Sequence, residues 1–217
     1  MKFRYCVLLS SVALLSGCGA KTPSSPSPSV PEAAVSEQAR PAGAAATLAV
    51  SPGFDRQLEL NGIGFHVTSP NVAAGNTVNV APAGLEIDNS PFTWDADGAV
   101  TGAEVADLDA DGSPEIYVYV TSTDTAARGS VVAFSANKRK SLSSIYLPPM
   151  AETPAAAQGY QGHDEFAVVE GSLVRRFPLY AGEGAGASPT GKTRQLQYKL
   201  VPGEAGWLLK LDRTTDF

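Results

Sequence analysis

The feature that most constrains the fold is a pair of apolar segments in the middle of the chain. Residues 115–121 read EIYVYVT and residues 130–134 read SVVAF, and a polar loop containing Gly129 separates them. β-Branched and aromatic side chains of this kind favour extended backbone over helix. The first segment therefore predicts a buried strand, and the second predicts its hairpin partner.

Other short apolar segments follow the same pattern, bounded by Gly, Pro and Asn, and no window of 11 residues has a helical period. Asn61-Gly62 is typical of a type I′ hairpin turn. Pro178 cannot donate a hydrogen bond to a neighbouring strand, so its strand should lie at an edge or bulge there. We predict an all-β fold, an antiparallel β-sandwich or flattened barrel of about eight to ten short strands. The remaining predicted strand segments are Leu58–Leu60, Gly64–Thr68, Thr77–Val80, Leu85–Ile87, Phe92–Trp94, Glu165–Glu170, Leu173–Tyr180, Gln195–Val201 and Trp207–Leu211.

The N-terminus has the layout of a secretory signal. Lys2 and Arg4 precede the apolar run Tyr5–Leu15, which is too short to span a bilayer. The run ends in Leu15-Ser16-Gly17-Cys18, which resembles the lipobox of bacterial lipoproteins, whose cysteine is acylated. Gly19 follows, and the resemblance to Gram-negative lipoproteins implies an outer-membrane lipoprotein facing the periplasm.

Composition divides the chain into three parts. Residues 1–17 are the predicted signal peptide, and residues 18–46 are the acylated cysteine and a Pro/Ser/Ala-rich segment with few large apolar residues, predicted to be a disordered tether. Residues 47–217 form the predicted folded domain. The two cysteines of the chain both precede this domain: Cys6 leaves with the predicted signal and Cys18 is the predicted acylation site. The domain therefore has no disulfide, and its length suffices for a core without one.

The charge of the mature chain is acidic. Removal of the signal takes away Lys2 and Arg4 and moves the formal net charge from −6 to −8. An acidic surface disfavours nucleic acid and anionic lipid and favours a cationic partner. We therefore expect that the protein does not bind nucleic acid, and that it contacts the membrane only through its lipid anchor. A homodimer is compatible with the sequence.

The chain contains a sequence match to a phosphate-binding loop that lacks the helix such a loop requires, and it has no recognisable active site. Residues 186–193 match the phosphate-loop pattern GxxxxGK(S/T), but an alternating strand segment follows where that loop needs a helix. We predict a Gly-rich hairpin loop here. His66 and His163 are the only histidines, neither has metal-ligand spacing, and we assign both structural roles. No order of Ser, His and Asp singles out a triad.

An acidic loop precedes the central strand. Asp107, Asp109 and Asp111 alternate ahead of Gly112, and Glu115 follows. Oxygen ligands at this spacing suit Ca²⁺, so the three aspartates are candidate calcium ligands. The alternative is a turn held by aspartate side chains, with Gly112 supplying positive φ.

The segment Ser141–Pro149 (SLSSIYLPP) presents an aromatic residue beside two prolines. On a stiff exposed loop, Tyr146 has the properties of an interface anchor. Residue types alone leave a second interpretation open, in which residues 145–147 are simply the next core segment.

Three blocks of the chain carry a family resemblance, namely ADLDADGSPEIYVYVTS with SVVAFSANKRKSLSSIYLPP, then GYQGHDEFAVVEGSLVRRFPLY, then TRQLQYKLVPGEAGWLLKLDR. Over about residues 100–213 they resemble periplasmic inhibitors of invertebrate-type lysozyme. In that family a loop with the pattern SG(x)xY enters the lysozyme cleft. The matching residues are Ser143 and Tyr146, with Ser144 in place of the glycine. The resemblance implies an antiparallel β-sandwich and an inhibitory loop of Ser143, Ser144 and Tyr146.

These observations lead to one expected function and two rivals. We expect a non-enzymatic inhibitor of lysozyme, of the invertebrate type, which occludes the active-site cleft and so protects peptidoglycan. A rival is a calcium-dependent adhesion or assembly module built on Asp107–Glu115. The other is an envelope hydrolase.

Overall fold

The computed structural model describes residues 53–217 apart from residues 73, 74, 183 and 205, and describes residue 185 by its backbone alone. The signal peptide, Cys18, the tether and residues 47–52 lie outside the described residues. Within the described part, no helix is both long and apolar enough to cross a membrane.

The described residues form twelve strands, one short α-helix and two 3-10 segments. The helix α1 is Pro154–Ala157, and the 3-10 segments are Met150–Glu152 and Gly184–Gly186. The strands are β1 (Phe54–Leu60), β2 (Ile63–Ser69), β3 (Asn76–Ala83), β4 (Phe92–Ala96), β5 (Ala99–Ala106), β6 (Glu115–Thr121), β7 (Gly129–Asn137), β8 (Ser141–Tyr146), β9 (Glu165–Val169), β10 (Ser172–Ala181), β11 (Ser188–Pro202) and β12 (Trp207–Asp216).

The strands form two sheets, which confirms the predicted all-β class. A four-stranded sheet has the order β1-β2-β3-β4, and an eight-stranded sheet has the order β5-β6-β7-β8-β12-β11-β10-β9. The strand number exceeds the predicted eight to ten because β5 and β8 were not predicted as strands. Leu85–Ile87 is not a strand, since the N–H groups of residues 86–88 donate instead to the carbonyls of Arg139 and Lys140.

The antiparallel prediction holds for every strand pair but one. β8 and β12 run parallel, with Ile145 opposite Trp207 and Tyr146 opposite Leu208. Parallel neighbours need a long crossover. Here β9, β10 and β11 lie between β8 and β12 in the chain, so the chain returns beside β8 only after three intervening strands.

Two apolar cores explain why the central strand is buried throughout. The first core joins the four-stranded sheet to one face of β5–β8, through residues such as Phe65, Val80 and Phe134. The second lies on the other face, against β10–β12, and includes Leu173, Leu196 and Leu209. Successive side chains of a strand point to opposite faces.

In β6, the side chains of Ile116, Val118 and Val120 therefore enter the first core. Those of Tyr117 and Tyr119 enter the second. The predicted burial of EIYVYVT is confirmed, and its cause is a layer of apolar residues on each side of the strand.

The eight-stranded sheet is curled into a nearly closed barrel. Its two edge strands, β5 and β9, are joined by the carboxylate of Glu104, which accepts a hydrogen bond from the N–H of Val168 at 2.7 Å. The same carboxylate accepts a hydrogen bond from the hydroxyl of Tyr119. A side chain thus bridges the gap where ladder hydrogen bonds stop.

Two local predictions about backbone geometry are confirmed. Asn61 and Gly62 both have positive φ, at 54° and 74°, as a type I′ turn between β1 and β2 requires. The pairing of β10 with β11 shifts register between Pro178 and Tyr180, so β10 bulges at the proline. β10 pairs with strands on both sides and is not an edge.

Candidate binding surface and acidic loop

The predicted inhibitory loop is wrong as a loop, because most of the segment is a strand. Ser141–Tyr146 forms β8, which pairs with β7 and, at its end, with β12. Leu142 is buried in the first core and Ile145 in the second. Residues three apart in a strand point to opposite faces. The segment is extended because it contributes one buried apolar residue to each core. Only Leu147–Pro149 lies between β8 and the 3-10 segment Met150–Glu152.

Tyr146 is exposed at the end of β8, as predicted for a residue outside the core. Its side chain has 51% of its surface accessible. The hydroxyl donates a hydrogen bond to the carboxylate of Glu152 at 2.9 Å. That bond, and to a lesser extent desolvation and the charge of Glu152, raise the pKa of Tyr146. The ring is therefore a neutral group held at both ends, by the strand and by Glu152.

The structure separates the two serines of the predicted motif. Ser144 is exposed and lies on the same face of β8 as Tyr146. Ser143 lies on the opposite face, where its hydroxyl accepts a hydrogen bond from the side-chain amide of Asn137 at 2.8 Å. The amide oxygen of Asn137 in turn accepts a hydrogen bond from the indole N–H of Trp207 at 2.7 Å. Ser143 and Tyr146 thus do not point in the same direction.

Two exposed aromatic residues of β4 lie beside β7 and β8. The sequence predicts them only as part of a strand. All of Phe92–Asp95 in β4 is exposed, and Trp94 has 51% of its surface accessible. Trp94 and Ser144 line one shallow depression of about 40 Å³, together with Phe134 and Ile145. A hint was available in the sequence, because Phe92–Trp94 is too short to pack a core and lies between polar residues on both sides.

The acidic loop is a turn held by aspartate side chains. The two carboxylate oxygens of Asp107 accept hydrogen bonds from the N–H groups of Asp111, at 3.0 Å, and Gly112, at 2.9 Å. Asp111 accepts a hydrogen bond from the N–H of Ser113 at 2.7 Å. Gly112 has a φ of 87°. The turn interpretation is confirmed at the level of geometry.

The same loop brings three carboxylates together, although not the three predicted ones. Single oxygens of Asp107, Asp109 and Glu115 lie within 4.8 Å of one another, and Asp111 is outside this group. Glu115 is only 1% exposed and accepts a hydrogen bond from the N–H of Leu108 at 2.8 Å. One buried oxygen of Asp109 has no hydrogen-bond partner among the described residues.

The electrostatics of the three carboxylates follow from burial and mutual repulsion. Burial raises the pKa of Glu115 to about 8, against the opposing hydrogen bond from Leu108, and the charges of Asp109 and Asp107 add to the rise. Burial and the charge of Asp111 raise the pKa of Asp109. A hard cation would stabilise the ionised forms. Calcium binding stays a prediction, now with Glu115 in place of Asp111.

The other sequence motifs fall in structural positions. Residues 188–202 form β11, so the residues after Lys192 are a strand and the phosphate-loop match has no helix. His66 lies in β2, with its ring nitrogen 2.9 Å from a carboxylate oxygen of Asp55. The backbone N–H of His163 donates to the carbonyl of Ala126. These contacts fit the structural roles predicted for both histidines.

Comparison of the chain with models of known protein families, with curated proteins and with solved structures gives no match.

Proposed function

We propose that this protein is a non-enzymatic inhibitor of invertebrate-type lysozyme, which it blocks with the end of β8. The observation that carries the proposal is Tyr146, a half-exposed aromatic ring at the end of a strand whose two aliphatic residues, Leu142 and Ile145, are buried. Lysozymes cleave peptidoglycan with two carboxylates in an open cleft. Occluding such a cleft requires shape and hydrogen bonds and no chemistry from the inhibitor.

The rigidity of this strand end supports the proposal. Binding loses free energy when side chains and loops must be ordered. Tyr146 is already held by the strand pairing of β8 with β12 and by its hydrogen bond to Glu152. Pro148 and Pro149 stiffen the chain that follows. The Tyr146 side chain therefore loses little further conformational freedom when its ring enters a groove.

The two serines take different parts in this proposal. Ser144, on the same face as Tyr146, enters the cleft beside the ring. The resemblance implies a hydrogen bond from Ser143 to the catalytic carboxylates, but Ser143 points to the other face and is bonded to Asn137. We assign Ser143 to positioning the strand end through Asn137 and Trp207.

The charge of the domain favours the encounter. The chain carries a formal net charge of −6 with its signal, and more negative charge without it. Attraction to a cationic lysozyme raises the association rate, and this contribution falls as salt screens the charges.

Replacement of Tyr146 tests the proposal directly. Tyr146→Ala is expected to weaken inhibition of an invertebrate-type lysozyme by about thirtyfold or more, because truncating an aromatic anchor typically costs at least about 2 kcal/mol of binding. The melting temperature should stay unchanged, since the ring lies outside both cores. Inhibition is measured by the clearing of cell walls, beside a thermal melt of each variant.

Matched variants make this test specific. Phe217→Ala removes another exposed aromatic residue, directly after the C-terminal end of β12, and should leave inhibition unchanged. Tyr146→Phe keeps the ring and loses the bond to Glu152, so it should retain most of the inhibition. Full inhibition by Tyr146→Ala contradicts the proposed mechanism, as does a failure of the unaltered domain to inhibit any lysozyme.

We also propose that Cys18 anchors the protein to the outer membrane on its periplasmic side. The support is the arrangement of Leu15-Ser16-Gly17-Cys18 after a cationic start and a short apolar run. Cys18→Ser is expected to move the protein out of the membrane fraction, while the isolated domain inhibits as before. Cell fractionation with immunoblotting measures this, and a variant that stays with salt-washed outer membranes rules the anchor out.

A further inference from the structure

An aromatic surface crosses the seam between the two sheets, and Tyr146 is only one end of it. β4 is the last strand of the four-stranded sheet and pairs only with β3 among the described strands. Two of its exposed residues, Phe92 and Trp94, face the eight-stranded sheet, and the Phe92 ring lies 5.1 Å from that of Phe134 in β7. Trp94 shares a depression with Ser144 of β8.

The register of β8 places Trp94 close to Tyr146. Ser144 pairs with Phe134, and Tyr146 is the next residue on the same face of β8, about 7 Å further along the strand. Trp94 lines the same depression as Ser144, and Tyr146 is the next residue on that face, so the indole and the phenol both lie near this serine. Phe92, Trp94 and Tyr146 are all exposed and lie on or beside the neighbouring strands β4, β7 and β8.

Monomeric proteins rarely expose clustered aromatic residues without a partner, and interface centres are enriched in Trp and Tyr. We propose that Trp94 is a second anchor for the lysozyme, and that the lysozyme docks across the seam between β4 and β8. This inference rests on the proposed function and extends the contact surface beyond the motif that suggested it.

The charges around the surface favour a cationic protein as the occupant. The segment that carries the aromatic residues also carries four exposed carboxylates, and in the described part of the chain none of them is in an ion pair. Glu152 adds a further carboxylate beside Tyr146. The carbonyl of Lys140 accepts hydrogen bonds from the N–H groups of Ile87 and Asp88, so the basic turn 138–140 adjoins the Ile87 end of this segment. The four carboxylates belong to Glu86, Asp88, Asp95 and Asp97, of which Asp95 lies with Thr93 on the other face of β4 from Trp94.

Inhibition by paired variants tests the inference. Trp94→Ala is expected to weaken inhibition by about tenfold or more, with losses that do not simply multiply with those of Tyr146→Ala, because both rings lie near Ser144. Thr93→Ala alters the neighbouring exposed residue on the other face of β4 and should have no effect. If Tyr146→Ala weakens inhibition and Trp94→Ala does not, the second anchor is wrong and the proposed function stands.

A direct probe of contact covers the case in which Trp94→Ala is poorly folded. The chain has two tryptophans, Trp94 and Trp207, so labelling with 5-fluorotryptophan gives two fluorine resonances, assigned with Trp207→Phe. Unlabelled lysozyme at saturation should shift the Trp94 resonance. A Trp94 resonance that stays in place overturns the inference. A shift caused by peptidoglycan fragments, with none from lysozyme, also overturns it and identifies a carbohydrate surface.

Discussion

Asp164→Asn is expected to lower the free energy of unfolding by about 3–5 kcal/mol, because it leaves the buried charge of Arg175 without a counter-ion. The two side chains are 0% and 5% exposed and meet at 2.7 Å. The carboxylate of Asp164 also accepts hydrogen bonds from the N–H of Gly129, at 2.7 Å, and from the hydroxyl of Tyr160, at 2.5 Å. One carboxylate thus ties β7 and β10 to the segment before β9.

The expected loss corresponds to a fall in melting temperature of about 6–20 °C for a domain of this size. Asp124→Asn is the matched control, since Asp124 and Arg128 form the same kind of pair with more than half of each side chain exposed. Exposed pairs contribute about 0–1 kcal/mol. Replacing both partners, with Asp164→Asn and Arg175→Met, should lose less than the two single changes together. Urea denaturation of Asp164→Asn, Arg175→Met, the double variant and Asp124→Asn measures these free energies of unfolding. Equal losses in Asp164→Asn and Asp124→Asn contradict the prediction.

In the presence of EDTA, stability is expected to fall as the pH rises from about 5 to about 8, because of Glu115. Burial raises the pKa of this carboxyl from 4.5 to about 8, so between these values the folded state binds a proton that the unfolded state has lost. The contribution of Glu115 to stability is therefore fully present below this window and is lost as the pH rises through it. At about 1.4 kcal/mol per pKa unit, the decrease is on the order of 3–5 kcal/mol.

Glu115→Gln isolates this contribution. The amide oxygen can still accept the hydrogen bond from Leu108, and the side chain no longer ionises. The variant should lose most of the pH dependence and be more stable than the parent at pH 8. Asp111→Asn, in the same loop but outside the convergent group, is the control. Urea denaturation at pH 5 and pH 8 measures it, and a parent whose stability is the same at both values rules out the shifted pKa.

If Asp107, Asp109 and Glu115 bind calcium, added calcium should offset the loss of stability between pH 5 and pH 8. A ligand that binds only the folded state adds about 2–3 kcal/mol at a hundred times its Kd. Because the ligand carboxylates must be ionised, the gain should be largest at pH 8 and absent in Glu115→Gln. Identical denaturation curves in EDTA and in calcium leave only the turn. Calcium-dependent binding to an envelope component would favour the rival function of an assembly module.

The sequence predicted most of the strands because local patterns and tertiary packing agree there. Leu196, Tyr198 and Leu200 alternate with polar residues in β11, and all three are buried as the alternation requires. The hairpin turn at Asn61-Gly62 needs only the local tolerance of positive φ. In such segments the residue types contain the whole reason for the structure.

β8 was mistaken for a loop because the reason for its structure lies elsewhere in the chain. Its sequence, SLSSIY, has two apolar residues three apart, which matches neither an alternating strand nor a buried one. It becomes a strand because a core lies on each side of it, and one of those cores is built from β10–β12, far along the chain. The same arrangement turns Ser143 away from Tyr146.

The candidate sites divide in the same way. The turn of Asp107 around Gly112 follows from nearby residues, so the sequence alone could indicate it, whereas residue types alone left the exposure of Tyr146 open. Trp94 lies about 50 residues before Ser144 in the chain, and Glu115 joins Asp109 only because β6 buries its first residue. By itself the sequence determined an acidic all-β domain, and the tertiary structure decided that Tyr146 is exposed. The pairing of β8 with β7 and β12 decided which residues accompany that tyrosine, because a strand's register and its neighbours are set by long-range burial of apolar surface.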